Sequence, residues 1–225
     1  TLPGGYKAYV YYSYVNGFDS NVSSAIFLVR TDSMSENGVH IAYFDDQNNV
    51  QILDPGFEFK GGVENMSHQY EEGYFFITKE GVNNPSEYYV INFNEQTPET
   101  VKINFPYNSD SSSKPFSKTY AGDGKFYLSY QKNDSDNYSK TILMLDAATG
   151  DTTEVFTTSS AAAFLTMASN GKLYYHNPYG NNQDANIHVY DPSSDSVTLI
   201  APPAGSNYPW LFAPYGKTLE LNGKL

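Results

Sequence analysis

The chain has 225 residues, with 13 Lys+Arg against 25 Asp+Glu, a formal net charge of -12 and no cysteine. That length is enough to bury one sizeable all-β core. The acidity excludes the basic footprint that nucleic-acid binding needs and disfavours an anionic membrane surface, and the missing thiols exclude disulfides, thiolate metal sites and cysteine nucleophiles.

Thr1-Leu2-Pro3 lacks the basic and apolar regions of a secretory leader, so no signal peptide is expected in this stretch, which is compatible with a mature chain whose leader has been removed. No apolar run approaches the ~20 residues of a membrane span. Tyrosine is abundant at 21 residues while charged residues make up only 17%, a balance that suits exposed sheets and binding surfaces rather than helical surfaces. Four Asn-X-Ser sequons, at Asn21, Asn65, Asn133 and Asn137, fall in Asn/Ser-rich stretches that generate such matches by composition.

In chain order, the first predicted strands are Tyr6 to Val15, Ala25 to Asp32 and Val39 to Phe44. The stretch from Asp45 to Glu72 is longer than an ordinary connection and is expected to hold an extra hairpin around Val50 to Phe59. Then a pattern sets in. Gly73-Tyr-Phe-Phe-Ile-Thr, Gly124-Lys-Phe-Tyr-Leu-Ser and Gly171-Lys-Leu-Tyr-Tyr-His each pair a turn glycine with a β-branched or aromatic strand, and Asn222-Gly223-Lys224-Leu225 repeats Asn170 to Leu173. A second landmark follows each time, a strand ending in Asp or Asn before a turn: Val90 to Asn94, Leu143 to Asp146 and His188 to Asp191, with Val29 to Asp32 before them. Short strands come next, at Thr100 to Phe105, Thr153 to Phe156 and Val197 to Ile200. Ala161 to Ala168 could pass for a helical turn, but Phe164 to Ala168 sits where the repeat demands a strand.

A period of roughly 50 residues with about four strands per repeat predicts an all-β chain: a β-propeller of four-stranded antiparallel blades, with about four to five blades spanning 1–225 as one domain or propeller fragment. A terminal strand near Thr218 to Leu221 could close a four-bladed ring. Gly223-Lys-Leu225 opening a further strand favours a piece of a longer propeller.

Naming the strands of a blade a to d outward, the b–c and d–a loops share one end and the a–b and c–d turns the other. The turns are tight, as in Ala121 to Gly124 and Ser169 to Gly171. The loops are long, as in Glu80 to Ser86, Lys132 to Lys140 and Asn177 to Asn186, and long loops on a rigid scaffold are where binding residues gather. Tyr138, Tyr179, Tyr208 and Trp210 lie in these loops, and His176 closes a strand beside one of them. Together they are the candidate ligand-binding residues for a small molecule, a glycan or a protein partner.

Enzyme signatures are weak. Gly216-Lys217-Thr218 lacks the first glycine of a phosphate loop, Leu211 standing in its place, and Gly122-Asp-Gly124 has Tyr127 where a dinucleotide fingerprint needs glycine. His40, His68, His176 and His188 have no zinc spacing. Asn133 to Asn137 and Asp45 to Asn49 place several oxygens in a loop, yet lack the glycine and distal glutamate of a calcium hand, so solvated Asx turns are expected. A glycoside hydrolase needs two carboxylates at a set separation, and Phe164 to Ala168 has none while Glu220 stands alone in its strand. No catalytic residue, metal or cofactor is therefore assigned. A propeller-fold hydrolase or lyase and a structural subunit of an extracellular assembly are the alternatives to a binding module.

The Asp146-Ala-Ala-Thr-Gly150 and Tyr190-Asp191-Pro-Ser-Ser turns resemble those of kelch- and quinoprotein-like propellers. Tyr6-Lys-Ala-Tyr-Val-Tyr-Tyr, Ala25-Ile-Phe-Leu-Val-Arg-Thr-Asp-Ser-Met34 and Asn37-Gly-Val39 are similar to the opening of a family of Bacteroidota-type surface-lipoprotein propellers. Members of that family are longer, with seven or eight blades, and are often encoded beside TonB-dependent transporters; some capture siderophores or other nutrients. The resemblance implies an extracellular or cell-surface location, anchoring to the outer membrane through an N-terminal segment, and a TonB-dependent transporter as partner. The chain departs from the family in length and in having no lipobox cysteine.

Overall fold

Residues Phe126 to Tyr130 are all buried, so this strand is covered on both faces and reads as a continuous apolar run rather than an alternation. The structure, a computed structural model, describes residues 13–14, 26–30, 37–45, 47, 49–53, 59–60, 69–79, 87–95, 97–106, 114–132, 141–158, 162, 164–176, 186–201 and 204. The described chain is all-β, without helix, and its strands pair antiparallel.

Strands β1 (Ser13–Tyr14), β2 (Ile26–Arg30), β3 (Asn37–Phe44) and β4 (Val50–Leu53) form the first sheet in that order, with β5 (Phe59–Lys60) also on β3. The second sheet is β6 (Gln69–Glu71), β7 (Tyr74–Lys79), β8 (Glu87–Asn92) and β9 (Glu99–Lys102). The third is β10 (Lys114–Gly122), β11 (Lys125–Gln131), β12 (Thr141–Asp146) and β13 (Thr152–Thr157). The fourth is β14 (Phe164–Met167), β15 (Leu173–His176), β16 (Ile187–Asp191) and β17 (Ser196–Ile200). Each of the last three is a meander in chain order, and 164–167 is strand, as the repeat required.

Among the described residues, the strands expected to make a hairpin around Val50 to Phe59 do not pair with each other. Leu53 to Val50 opposes Ile41 to Phe44, and Phe59 and Lys60 oppose Val39 and Asn37, so β4 and β5 both line the same edge of β3 instead of pairing with each other. Residue pattern marks a segment as strand but does not name its partner.

The repeat glycines fall in corresponding places. Glu72 and Gly73 (φ 50 and 86°) join β6 to β7, and Asp123 and Gly124 (φ 50 and 70°) join β10 to β11. Two successive positive φ values make the type I′ turn whose twist matches a hairpin. Gly171 (φ 76°) ends a wider turn between β14 and β15. Gly223 lies outside the described residues. The Asx turns are present as well: Asn94 N–H donates to Asn92 Oδ1, and Ser193 N–H to Asp191 Oδ1, each at 2.9 Å. In the first of these the bonding side chain is Asn92; Asn94 instead donates Nδ2 to the Glu72 carbonyl at 2.9 Å and ties two turns of the second sheet together.

The chain divides into two compact units, 1–103 with 147–150, and 104–146 with 151–225. In the first unit Ile41 and Leu53 pack on Phe75, Ile77, Ile91 and Phe93, joining the first sheet to the second. In the second unit Tyr127 and Ile142 of the third sheet pack on Leu165, Leu173, Tyr175 and Tyr190 of the fourth. Phe156 sits over Tyr175 and Tyr190 at ring-centroid distances of 5.9 and 4.4 Å. Truncating one such buried ring to alanine costs about 3–5 kcal/mol, so these clusters hold the sheets face to face.

Candidate functional site

Strand β14 pairs with β15 on one side only, and its other side is bonded to side chains of β10. Leu165 N–H donates to Ser117 Oγ at 3.2 Å, and Met167 N–H to Thr119 Oγ1 at 3.0 Å. Hydroxyls thereby satisfy the outward N–H groups of a sheet edge, which buried backbone must have. Residue number rises along both strands from one bond to the next, so β10 and β14 run in the same direction. The third and fourth sheets of this unit therefore have the same ends.

At one end stand the turns Asp123-Gly124, Ala168 to Lys172 and Pro192 to Asp195. At the other, β11 passes to β12 through 132–140, and β15 to β16 through 177–186. The second sheet has the same asymmetry within its own unit: Glu72-Gly73 at one end, and 80–86 between β7 and β8 at the other.

Tyr138 belongs to 132–140 and Tyr179 to 177–186, while Tyr208 and Trp210 follow β17; all four lie outside the described residues. His176 is the last residue of β15, opposite Phe164 in register, and is fully buried. Burial, and secondarily the neighbouring His188, push its imidazole down to about 4, so the ring is neutral at physiological pH. His188 is buried too and stacks on Tyr175 at 4.9 Å. The position of His176 in the sequence carries no sign that its ring is covered.

At the long-loop end of the third sheet, Thr141 is buried, and Tyr130 is buried and stacks on Phe105 at 4.6 Å. Lys132 pairs with Glu154 at 3.5 Å, and Thr157 donates to the same carboxylate at 2.8 Å, so the charges on this part of the third sheet compensate each other. At the short-turn end, Lys172 pairs with Asp191 at 2.9 Å. Bonds from Ser193 and Lys172 hold the Asp191 carboxyl down at about 2.

The Asp45 to Asn49 loop closes on itself. The Asp45 carboxylate accepts from Gln47 N–H (3.0 Å), Asn49 N–H (2.8 Å) and Gln51 Nε2 (2.8 Å), and the Gln51 and Asn49 bonds hold it below the ordinary carboxylate range. Its oxygens are thus engaged in the Asx turn expected from the sequence. Asn133 to Asn137 lie outside the described residues. Among the described residues no group of three or more His, Cys, Asp or Glu side chains could hold a metal ion, and no carboxylate is buried. The buried polar side chains there are Thr119, Ser129, Thr141, Thr158, His176 and His188. No helix among them is long and apolar enough to cross a membrane.

No protein-family model matches the sequence, and no curated protein matches it. Among solved structures the chain is similar to a novel fungal alcohol oxidase with catalytic diversity among the AA5 family, in complex with copper: 10% identity, TM-score 0.49, covering 81% of this chain and 42% of the oxidase. The chain thus spans less than half the length of that protein.

Proposed function

We propose that the chain is a non-catalytic binding module whose four sheets are blades of a β-propeller, part of a longer one, and that it binds its ligand on the long-loop end. The observation that carries this is the shared direction of β10 and β14. It gives two neighbouring sheets a common end, where 132–140 and 177–186 emerge, while the opposite end is closed by tight, internally bonded turns. Rigid strands with long loops at one end are the usual arrangement for recognition. Tyr138, Tyr179, Tyr208 and Trp210 supply aromatic faces, and the Asn and Ser around them supply hydrogen bonds, a combination suited to a glycan or a planar small molecule. His176 is buried and neutral at the end of β15, where the loop 177–186 begins. The resemblance of the opening strands to surface-lipoprotein propellers supports the cell surface as the place of action and a TonB-dependent transporter as the protein partner.

The test is a thermal-shift screen with ferric siderophores and neutral and acidic oligosaccharides. A ligand held on this end raises the melting temperature through linkage, and Tyr138→Ala and Tyr179→Ala abolish the rise while leaving the ligand-free melt unchanged. A rise that survives both substitutions and disappears with Lys125→Ala or Lys172→Ala, on the short-turn end, contradicts the proposal.

A further inference from the structure

Asn170 and Gly171 lie in the turn between β14 and β15, with the asparagine exposed. In an Asn-Gly pair the glycine nitrogen can attack the preceding side-chain amide with little crowding, and a Cβ placed on Gly171 would meet nothing within 4 Å. Chemistry at this position is therefore opposed by hydrogen bonding rather than by sterics. Three bonds matter. Gly171 N–H donates to the Ala168 carbonyl at 3.0 Å, Lys172 N–H donates to Asn170 Oδ1 at 3.0 Å, and Asn170 Nδ2 donates to the Tyr174 hydroxyl at 3.0 Å.

We propose that Asn170 is a site of spontaneous deamidation whose rate is set by opening of this turn. In the step, Gly171 N loses its proton and bonds to Asn170 Cγ, the Cγ–Nδ2 bond breaks, and ammonia leaves with the proton. Water then opens the cyclic imide at one carbonyl or the other, giving aspartate or iso-aspartate. Water is the only co-reactant. In the folded turn the attacking nitrogen is committed to Ala168 and the amide plane is fixed at both its oxygen and its nitrogen. The near-attack geometry needs those bonds released first, so reaction waits on local opening.

The two products differ in consequence. Aspartate keeps an oxygen for the Lys172 N–H and loses only the donor to Tyr174. Iso-aspartate adds a methylene to the main chain inside the hairpin and displaces the Met167–Leu173 pairing that begins the β14–β15 ladder.

The chain is incubated at mildly alkaline pH, folded and in denaturant, and the products at position 170 are quantified by peptide mapping, which separates this site from the other Asn-Gly pairs. The folded chain is expected to react about tenfold or more slowly, as loss of a few modest hydrogen bonds implies. Tyr174→Phe, which keeps the ring and removes the hydroxyl, is expected to react several-fold faster than wild type while retaining its far-UV circular dichroism. Asn170→Gln is expected to give no imide here. Equal rates folded and unfolded, or a Tyr174→Phe rate equal to wild type, would overturn the gating; absence of product at 170 even in denaturant would overturn the site.

Discussion

Met167 N–H donates to the Thr119 hydroxyl at 3.0 Å, linking the first strand of one four-stranded sheet to the first strand of the next. Thr119 is buried, so the bond is shielded from water and its loss leaves a backbone donor to be satisfied elsewhere. Thr119→Val keeps shape and removes the acceptor, and is expected to cost about 1–3 kcal/mol, read as a lower urea midpoint at unchanged slope. Thr119→Ser, which keeps the hydroxyl, is expected to retain most of the stability. Equal stability of Thr119→Val and wild type would contradict the role given to this bond.

Stability is expected to fall with acid in a window set by His176. Its folded value is about 4 against an ordinary 6.5, so between these pH values the unfolded chain binds a proton that the folded chain refuses. The contribution is complete above about pH 6.5 and is lost as pH falls toward 4, amounting to roughly 3 kcal/mol by linkage. Asp191 acts lower: its folded carboxyl lies at about 2 against 3.8, so its contribution is present above 3.8 and is lost only as pH falls toward 2. Unfolding free energies measured from pH 7 to pH 4 should slope for wild type and flatten for His176→Phe. A slope that persists in the variant would assign the acid sensitivity to other groups.

Gly150 and Gly171 share φ 76° and differ in surroundings. A Cβ on Gly150 would overlap the Lys102 carbonyl oxygen within its unit, whereas one on Gly171 meets nothing within 4 Å. Alanine at either position carries the left-handed penalty of about 1 kcal/mol. Only at 150 must backbone also shift. Thermal melts are therefore expected to show Gly150→Ala clearly less stable than Gly171→Ala; equal melting temperatures would contradict the close approach.

Much of the strand order was legible because turn chemistry punctuates it. Gly73, Gly124 and Gly171 mark corresponding turns, Asp191 opens an Asx turn, and the repeat decided strand over helix for Phe164 to Ala168. What was not legible depends on partners. Val50 to Leu53 reads as a strand from its residues, but only the register shows that it and Phe59–Lys60 both pair with β3. Burial of His176 likewise depends on what lies over its face of the sheet, which residue alternation does not encode. Ser117 and Thr119 look like ordinary strand hydroxyls, and their bonds to a strand 48 positions away leave no local trace in the chain.

Hydrogen-exchange mass spectrometry of the chain with and without a ligand found in the thermal-shift screen shows at which end of the sheets that ligand sits. Binding on the long-loop end predicts new protection in peptides covering 132–140 and 177–186, with exchange in 122–125 and 168–172 unchanged. Protection confined to 122–125 and 168–172, with the long loops exchanging as before, would place the ligand on the short-turn end and contradict the account.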